Sequence, residues 1–598
     1  MKLQKIKTLV KLGIPNLLRV VLYRSALKFG GAKALFKSRE PIAGSFFTKQ
    51  TLPIIEALDY KDSFSAFGWH EVSLNEIPDW HASVLDGGKH NAGLTHWSDI
   101  PDFGLAGDIK LYWELSRFDW VIHHALNYLS GDEASFNKLN QWLSDWSEKN
   151  PCNLGVNWKC GQEASIRVIH LTLAALLLKQ ELSDSFVKLL TQHLERISPS
   201  MMYAVAQDNN HGTSEAAALF VGGCFLRGKD SRAQKWLNKG RYWLENRTNR
   251  LILEDGSFSQ YSTNYHRLML DTLSYCEYIR RHFGQPDFSS SFYKKARKAT
   301  SWLFDLVEPI SGDVPNLGAN DGARLIPLSS APYRDYRPTV QLAANLFYGA
   351  LAFEGEGDYN LPIMLLSLPS CRERLDLSHE KLSKEGGFAL LRHGNSKVFF
   401  RFPRFRFRPS QCDAMHVDLW VNEKNILRDG GSYSYNAGEQ WLEYFQGVAS
   451  HNTAQFDDRE QMPKISRFLF GEWLTAISKD EIHSEKDGSS YSACYTDYLG
   501  GRHCRQVTLK DAVLEVKDQP SGFKDKVVFR WRLLPGKYSI QGNHVIGEQV
   551  VINVDSDEPV LLRIVDGWES RFYYQKKQLP VLEVELQKQS SVLTTIQW

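Results

Sequence analysis

The sequence predicts a multidomain protein of two unlike parts, a helical N-terminal body of successive hairpins and a C-terminal antiparallel β domain. Three observations carry this. From about residue 105 to 370, apolar side chains recur at three- and four-residue steps, interrupted by Gly, Pro and Asn. Near residues 367 to 385 that texture stops: Leu368-Pro369-Ser370 is followed by a charged stretch to Lys384 and then by Gly386-Gly387. From Phe388 onwards short runs alternate at period two between Gly and Asp-Gly breaks, as antiparallel strands stacked in a sandwich do. The division expected is a basic N-terminal helical segment over 1–45, a helical domain over 46–370, a linker over 371–385 and a β-sandwich over 386–598. A chain of 598 residues is long enough for more than one core.

Taken in order, Lys2 to Lys28 reads as a basic amphipathic helix. Leu9 to Leu22 is too short, and with Lys11 and Arg19 too charged, to span a membrane. Its plain reading is a solvated helix packed on the body; its functional reading is a membrane-surface contact. No convincing cleavage site follows, so the chain is expected to be cytoplasmic or membrane-peripheral, with a periplasmic location left open. Leu111, Leu115, Phe118, Ile122, Leu126 and Leu129 predict one helix that stops at Gly131. Further helices are expected over about 162–178, 185–197, 214–226, 230–249, 262–282 and 291–307. Helices of similar length on short loops fit an α/α toroid or a solenoid. Beyond the linker, Lys397 to Phe402, Arg404 to Arg408, Val507 to Val516 and Val550 to Val554 predict strands. The arginines of Arg404 to Arg408, with Arg406 at the centre, are either an ion-paired solvent face or a patch for an acidic polymer.

Composition narrows the function. A net charge of +2 gives no electrostatic case for nucleic acid as a partner. The 17 Trp, 24 Tyr and 32 Phe suit large cores and equally suit stacking against sugar rings. Eight scattered cysteines without a CxxC pair are expected to be mostly reduced, buried thiols.

Three polar clusters stand out. In Gln207 to Glu215, the run Asp208-Asn209-Asn210-His211-Gly212 separates two apolar segments. It is either a helix-to-helix turn or the active-site loop of a sugar-polymer enzyme, because such side chains must face water or line a polar pocket. The second cluster, Asp255 to His266, puts Tyr265 and His266 at the front of an apolar helix, Tyr265 being a core residue or an acid/base group. In the third, His416, Asp429 and His451 are ligand-type residues on separate segments, as in three-ligand zinc sites, or else unrelated polar residues at strand ends.

Together the clusters resemble the heparinase II/III-like family of polysaccharide lyases, which has alginate lyases among its relatives. The resemblance rests on Leu111 to Phe118, Gly155-Val156-Asn157-Trp158 with Glu163 and Arg167, Asn209-Asn210-His211, and Asp255-Gly256 followed by Tyr265-His266. In the β part it rests on His416 to Trp420, Arg428 to Tyr435 and Ser450 to Thr453. It implies an N-terminal α/α toroid, an incomplete barrel of helical hairpins, followed by a C-terminal antiparallel β-sandwich, with the substrate cleft between them. Val314 to Ala323 is similar to members that accompany bacterial capsule or exopolysaccharide assembly.

Such lyases cut uronic-acid polymers by β-elimination. The resemblance implies that Asn210 and His211 neutralise the sugar carboxylate and that Tyr265 transfers protons. It implies substrate contacts from Arg117, Asn157, Trp158, Glu163, Arg167, Asn209, Tyr261, His266, Arg406 and Tyr435. It also implies a divalent metal, zinc, on His416, Asp429 and His451, bracing the sandwich rather than activating water. The chain departs from the pattern at Ala414, where catalytic relatives carry another histidine four residues before the position of Asp418. Two readings therefore stand beside the lyase. One is a glycoside hydrolase using carboxylates among Asp208, Glu215 and Asp255; the other is a non-catalytic polysaccharide-binding component of capsule or exopolysaccharide assembly.

Overall fold

A computed structural model describes residues 2–89, 93–101 and 107–598. Two helices lead in, α1 (Lys2–Lys11) and α2 (Ile14–Lys28). The body continues with α3 (Asp119–Leu129), α4 (Glu133–Lys149), α5 (Gly161–Leu177), α6 (Asp184–Ala206), α7 (Asn210–Phe225), α8 (Ala233–Leu251), α9 (Thr263–His282), α10 (Ser290–Leu306) and α11 (Arg337–Tyr348). From α3 onwards the odd-numbered helices pack on one another as an inner layer, and the even-numbered ones cover them from outside. This concentric alternation is an α/α toroid, which decides against the solenoid.

Position in the ring explains the composition of each helix. Outer helices keep an apolar stripe: α10 buries Phe292, Ala296, Ala299 and Leu303 at helical spacing. Inner helices are enclosed all round, and α7 buries every residue except His211. Its small side chains let its partner come close. A Cβ on Gly240 of α8 would lie 2.2 Å from Phe220 N, and one on Gly223 would lie 2.5 Å from Leu237 N.

Several sequence expectations are corrected here. The single helix expected over 111–129 is split into a short turn (Lys110–Trp113) and α3 by Phe118, whose backbone is left-handed at φ +70°. The break turns both Arg117 and Phe118 inward, Arg117 to Glu163 and Phe118 against Trp120 and Trp146. Helix α6 runs through Pro199 to Ala206 instead of ending near residue 197. Helix α7 begins at Asn210, so most of the expected polar loop is that helix's own first turn.

The β part stacks antiparallel sheets. One runs in chain order through Lys381–Ser383, Phe388–His393, Ser396–Arg401, Val417–Val421 and Lys424–Leu427. Its first strand lies inside the stretch expected as a linker. Over it packs a nine-stranded sheet with Gly488–Thr496, Arg502–Lys510, Val513–Ser521 and Val592–Gln597 as neighbours, Phe400 and Phe402 meeting Tyr491 between the layers. A four-stranded sheet contains Val527–Arg532, Gln575–Leu586 and Val560–Phe572.

The toroid covers the free face of the first sheet, so all of Ser396–Arg401 is buried despite its alternating sequence. Lys397 Nζ donates to Leu306 O (2.6 Å) and Arg392 donates to Asp305 O, so two side-chain donors of the sheet cap the C-terminal carbonyls of α10. This contact fixes the two domains against each other. Arg404 to Arg408 is not the expected strand. Pro403 precedes it, and the Tyr261 hydroxyl accepts the N–H groups of Arg406 (2.9 Å) and Phe407 (3.1 Å) where a neighbouring strand would. Cys152, Cys160, Cys224, Cys276, Cys371 and Cys412 are free, but Cys494 and Cys504, opposite each other on adjacent strands, form a disulfide that their spacing did not announce.

Candidate active site

A cleft of about 380 Å³ separates the toroid from the sandwich. Two inner helices aim their first turns into it. Each is preceded by a non-glycine residue in the left-handed region, Asp208 (φ +48°) before α7 and Tyr261 (φ +51°) before α9. Such residues cost about 1–3 kcal/mol and persist only where their surroundings hold them. Asp208 is held by Arg247 (2.9 Å), Arg250 (2.8 Å) and Asn16 of α2 (2.8 Å); Tyr261 is held by the two N–H groups already described. The N-caps follow directly, Asn209 accepting from His211 N and Ser262 accepting from Tyr265 N, both at 3.1 Å.

The start of α7 brings Asn209, Asn210 and His211 to the cleft wall. Asn210 N donates to Gln260 Oε1 (2.8 Å), while its side-chain amide has no hydrogen-bond partner among the described residues. Burial works against a charge on His211, but Cys160 and Glu215, the latter 3.8 Å away, outweigh it and push the pKa up to about 10. Neutral pH therefore leaves an imidazolium and a free amide at the positive end of a helix, an anion-binding arrangement.

Opposite, the sandwich contributes Ser432 to Asn436 and Arg408. Tyr265 and Tyr435 share a hydroxyl–hydroxyl hydrogen bond of 2.9 Å across the domain boundary. Tyr435 is pinned from behind: its N–H donates to Tyr573 Oη (2.8 Å), which donates to Asp108 Oδ2 (2.5 Å). Burial first, and then Asp321, raise the pKa of both Tyr265 and Tyr435 well above the ordinary phenol value, so both rest as phenols. Arg408 has Tyr203, Tyr265 and Tyr435 as electrostatic neighbours and makes no ion pair or hydrogen bond among the described residues. Of the arginines in the expected 404–408 patch, Arg408 is the one that lines the cleft; Gln260 and the Lys110–Asp321 pair (2.8 Å), which also line it, were not among the expected site residues.

The structure takes other expected substrate contacts away from the cleft. Arg117 is buried with Glu163 (2.8 Å) and Glu114 (2.7 Å), so its fork is occupied; Glu163 lines the cleft with its charge already matched. Arg167 lies among Trp146, Trp158 and Phe118 and donates to His193 Nε2 (2.8 Å) and Asn157 O (2.9 Å). Asn157 and Trp158 are fully buried and bonded to Asn150, and His266 stacks on Trp302 while its Nε2 meets Ala299 O (2.9 Å). These are scaffold residues. Tyr261 shapes the 404–408 segment, and Arg406 lines a side recess next to the cleft.

Carboxylates for hydrolysis are engaged elsewhere. Asp208 has its two arginines, Asp255 accepts from Ser257 and from Gly386 N (2.7 Å), and Glu215 is buried under His211. Ala414 is fully buried, its N–H donating to Gln461 Oε1 (3.0 Å) and its carbonyl accepting from Gln461 Nε2 (3.0 Å).

Beneath the cleft, His416, Asp429 and His451 are buried with one ligand atom from each within 4.8 Å of the others. His451 Nδ1 lies 2.9 Å from Asp429 Oδ2 and His416 Nε2 lies 3.5 Å from it. His416 Nε2 and the neighbouring Asp418 Oδ2 have no hydrogen-bond partner, so the donor set fits a divalent cation. A cation on Nε2 requires the ring proton on Nδ1, which here accepts the Asn452 N–H (3.0 Å); loading and that bond exclude each other. Asp429 Oδ1 also accepts Gly431 N (2.7 Å), which ties the cluster to the loop that carries Tyr435.

Comparison with known proteins gives two family matches, Heparinase II/III N-terminus over residues 81–324 and Heparinase II/III-like, C-terminal over residues 376–581. A heparin-sulfate lyase of Bacteroides thetaiotaomicron is 22% identical over 374 residues, 57% of this chain and 51% of the relative, so the chain spans about half the length of the curated relative it matches. Among solved structures, a heparinase III superposes with a TM-score of 0.63 at 17% identity, covering 86% of this chain and 80% of that one. A heparan sulfate lyase from Pedobacter heparinus superposes with a TM-score of 0.56 at 16% identity, covering 96% and 88%. At these identities the superpositions establish a shared toroid-and-sandwich fold.

Proposed function

The chain belongs to the heparinase II/III-like family, and from that premise we propose that it is a polysaccharide lyase, cleaving a uronic-acid polymer by β-elimination in the cleft between toroid and sandwich. The observation that carries the proposal is the pairing of two proton-carrying phenols, Tyr265 and Tyr435, in one cleft with the free amide of Asn210 and the charged His211.

Elimination begins at a weakly acidic C5–H beside a carboxylate. Asn210 and His211⁺ bind that carboxylate and stabilise the enolate-like charge as it develops. One hydroxyl of the tyrosine pair, as phenolate, takes the C5 proton; the other, hydrogen-bonded to it, gives a proton to the departing glycosidic oxygen. The C4–O bond breaks, a C4=C5 bond forms, and the proton lost from carbon is balanced by the one gained by oxygen. Arg408 favours the phenolate and holds a further acidic group of the polymer. Tyr435 fills the role left open by Ala414, so no histidine is required there. Hydrolysis would need two free carboxylates about the scissile bond; Asp208 and Asp255 are both engaged, which disfavours it.

The substrate class proposed is an acidic glycosaminoglycan-like or bacterial exopolysaccharide chain. The His416–Asp429–His451 cluster is proposed to hold zinc as a brace for the 430–435 loop, with no step of the elimination passing through it. Mass spectrometry of the products tests the proposal. Unsaturated uronate ends, lighter by one water than hydrolysis products, are expected; saturated ends would overturn it.

A further inference from the structure

Leu12, Tyr23 and Leu27 pack on the body, but the two leading helices also turn an apolar face outward. The buried position of α2 is polar: Asn16, 7% exposed, donates to Asp208. Ile14, Leu18, Val21 and Leu22, at steps that place them on one helical face, are 58–70% exposed, and Phe29 just beyond the helix is 81% exposed. Ile6 and Val10 of α1 continue the pattern at 58% and 56%. Soluble proteins expose large apolar side chains singly, and a contiguous run of them marks a surface that something covers.

Charge identifies the cover. Residues 1–39 contain ten Lys and Arg and no Asp or Glu. Lys33 and Arg39 are paired with Asp99 (2.7 Å) and Glu195 (3.0 Å), but Lys5, Lys7, Arg24 and Lys28 have no ion pair among the described residues. A second copy of this chain would bring the same cationic face against itself, which like-charge repulsion opposes. An anionic bilayer satisfies both halves of the pattern, taking the apolar side chains at the acyl boundary and the basic ones among its headgroups. No helix among the described residues is long and apolar enough to cross a membrane, so the contact lies along the surface.

We propose that α1 and α2 form an interfacial anchor that docks the protein on an anionic membrane surface. The anchor sits next to the cleft. Lys11 and Leu12 line the side recess that also contains Gln207, Asn209, Gln260 and Arg408, and the Asn16–Asp208 bond joins α2 to the residue before the α7 cap. Docking therefore holds the cleft beside polymer carried at that surface.

The test is flotation of the full chain with phosphatidylcholine vesicles, with and without phosphatidylglycerol. Binding is expected only to the vesicles that contain phosphatidylglycerol, and it should weaken as salt rises. Leu22→Asp combined with Phe29→Asp should lower partitioning ~10-fold or more, since each change removes apolar burial and adds a repelled charge. Arg24→Glu with Lys28→Glu provides an independent reading of the electrostatic half. Circular dichroism melting should be unchanged in both variants, because all four side chains lie outside the packed interior. Vesicle binding that ignores phosphatidylglycerol, or that both variants retain, overturns the proposal. So does a dimer in light scattering that the same variants dissolve while vesicles are not bound, which would assign the face to a second copy.

Discussion

Replacing Asn210 by alanine separates catalysis from folding in one experiment. The side-chain amide has no hydrogen-bond partner among the described residues, and the backbone bonds of the residue, from its N–H to Gln260 and from the Thr213 hydroxyl to its carbonyl, survive the change. The cap of α7 belongs to Asn209 and is untouched. Stability should therefore move by no more than about 0.5 kcal/mol, as for a substitution that removes no buried contact. Catalysis should not be spared. A hydrogen bond to a charged group contributes about 1.5–3 kcal/mol, and losing a donor aimed at developing charge costs about 10²- to 10³-fold in kcat. The assay is initial rate of double-bond formation beside a thermal melt. Asn210→Asp sharpens it, because a carboxylate facing the substrate carboxylate should be worse than the empty space left by alanine. A kcat within threefold of the parent, equal rates for the two variants, or a melt lowered in step with activity would each refute the assigned role.

Other outcomes follow from the same geometry. Tyr265 and Tyr435 have pKa values raised well above the phenol norm and His211 is raised to about 10, so phenolate grows with pH while the imidazolium persists until pH nears 10. kcat/KM should climb roughly tenfold per pH unit above neutrality and turn over near pH 10; a maximum near pH 6 would contradict this. The sign for stability is opposite, since the contribution of the His211 charge is complete below its unfolded value near ~6.5 and is lost as pH rises through about 10. Arg117→Met leaves Glu114 and Glu163 buried without their cation and should cost about 3–5 kcal/mol in urea unfolding, with KM of the folded fraction unchanged; a raised KM at full stability would return Arg117 to the substrate. Adding zinc should raise the melting temperature of the parent by binding the native state alone, and His451→Ala should abolish both uptake and shift. Equal melts with and without zinc would remove the metal from the account.

The outline of the fold was legible because it rests on local rules. Helical stripes in the outer layer map onto observed helices, the runs Lys397 to Phe402 and Val550 to Val554 map onto strands, and Val507 to Val516 folds as the facing ends of two strands of a hairpin. Errors came where tertiary contacts replaced local ones. The alternation of Arg404 to Arg408 looks like a strand, but the N–H groups of Arg406 and Phe407 are met by one distant hydroxyl, that of Tyr261. The start of α7 looked like a loop because its polar side chains face a cleft. Residues that carry a resemblance include those that hold a scaffold together, and no spacing rule separates Arg167, whose guanidinium is taken up by His193 and Asn157, from Asn210, which lines the cleft; their three-dimensional neighbours do. Tyr435 owes its position to Asp108 and Tyr573, which lie far from it in sequence, and the Cys494–Cys504 bond depends on a strand register that spacing alone does not reveal.

The most direct test of the central claim is ultraviolet absorbance during incubation with a panel of acidic polysaccharides, comparing the parent chain with Tyr265→Phe. Tyr265 offers its hydroxyl to Tyr435 and its ring to the cleft, so phenylalanine removes the proton carrier while keeping the shape. A rising signal from conjugated unsaturated uronate with the parent, reduced at least about 10²-fold in the variant, is the expected result. An undiminished signal in Tyr265→Phe, or new reducing ends without absorbance in the parent, would contradict it.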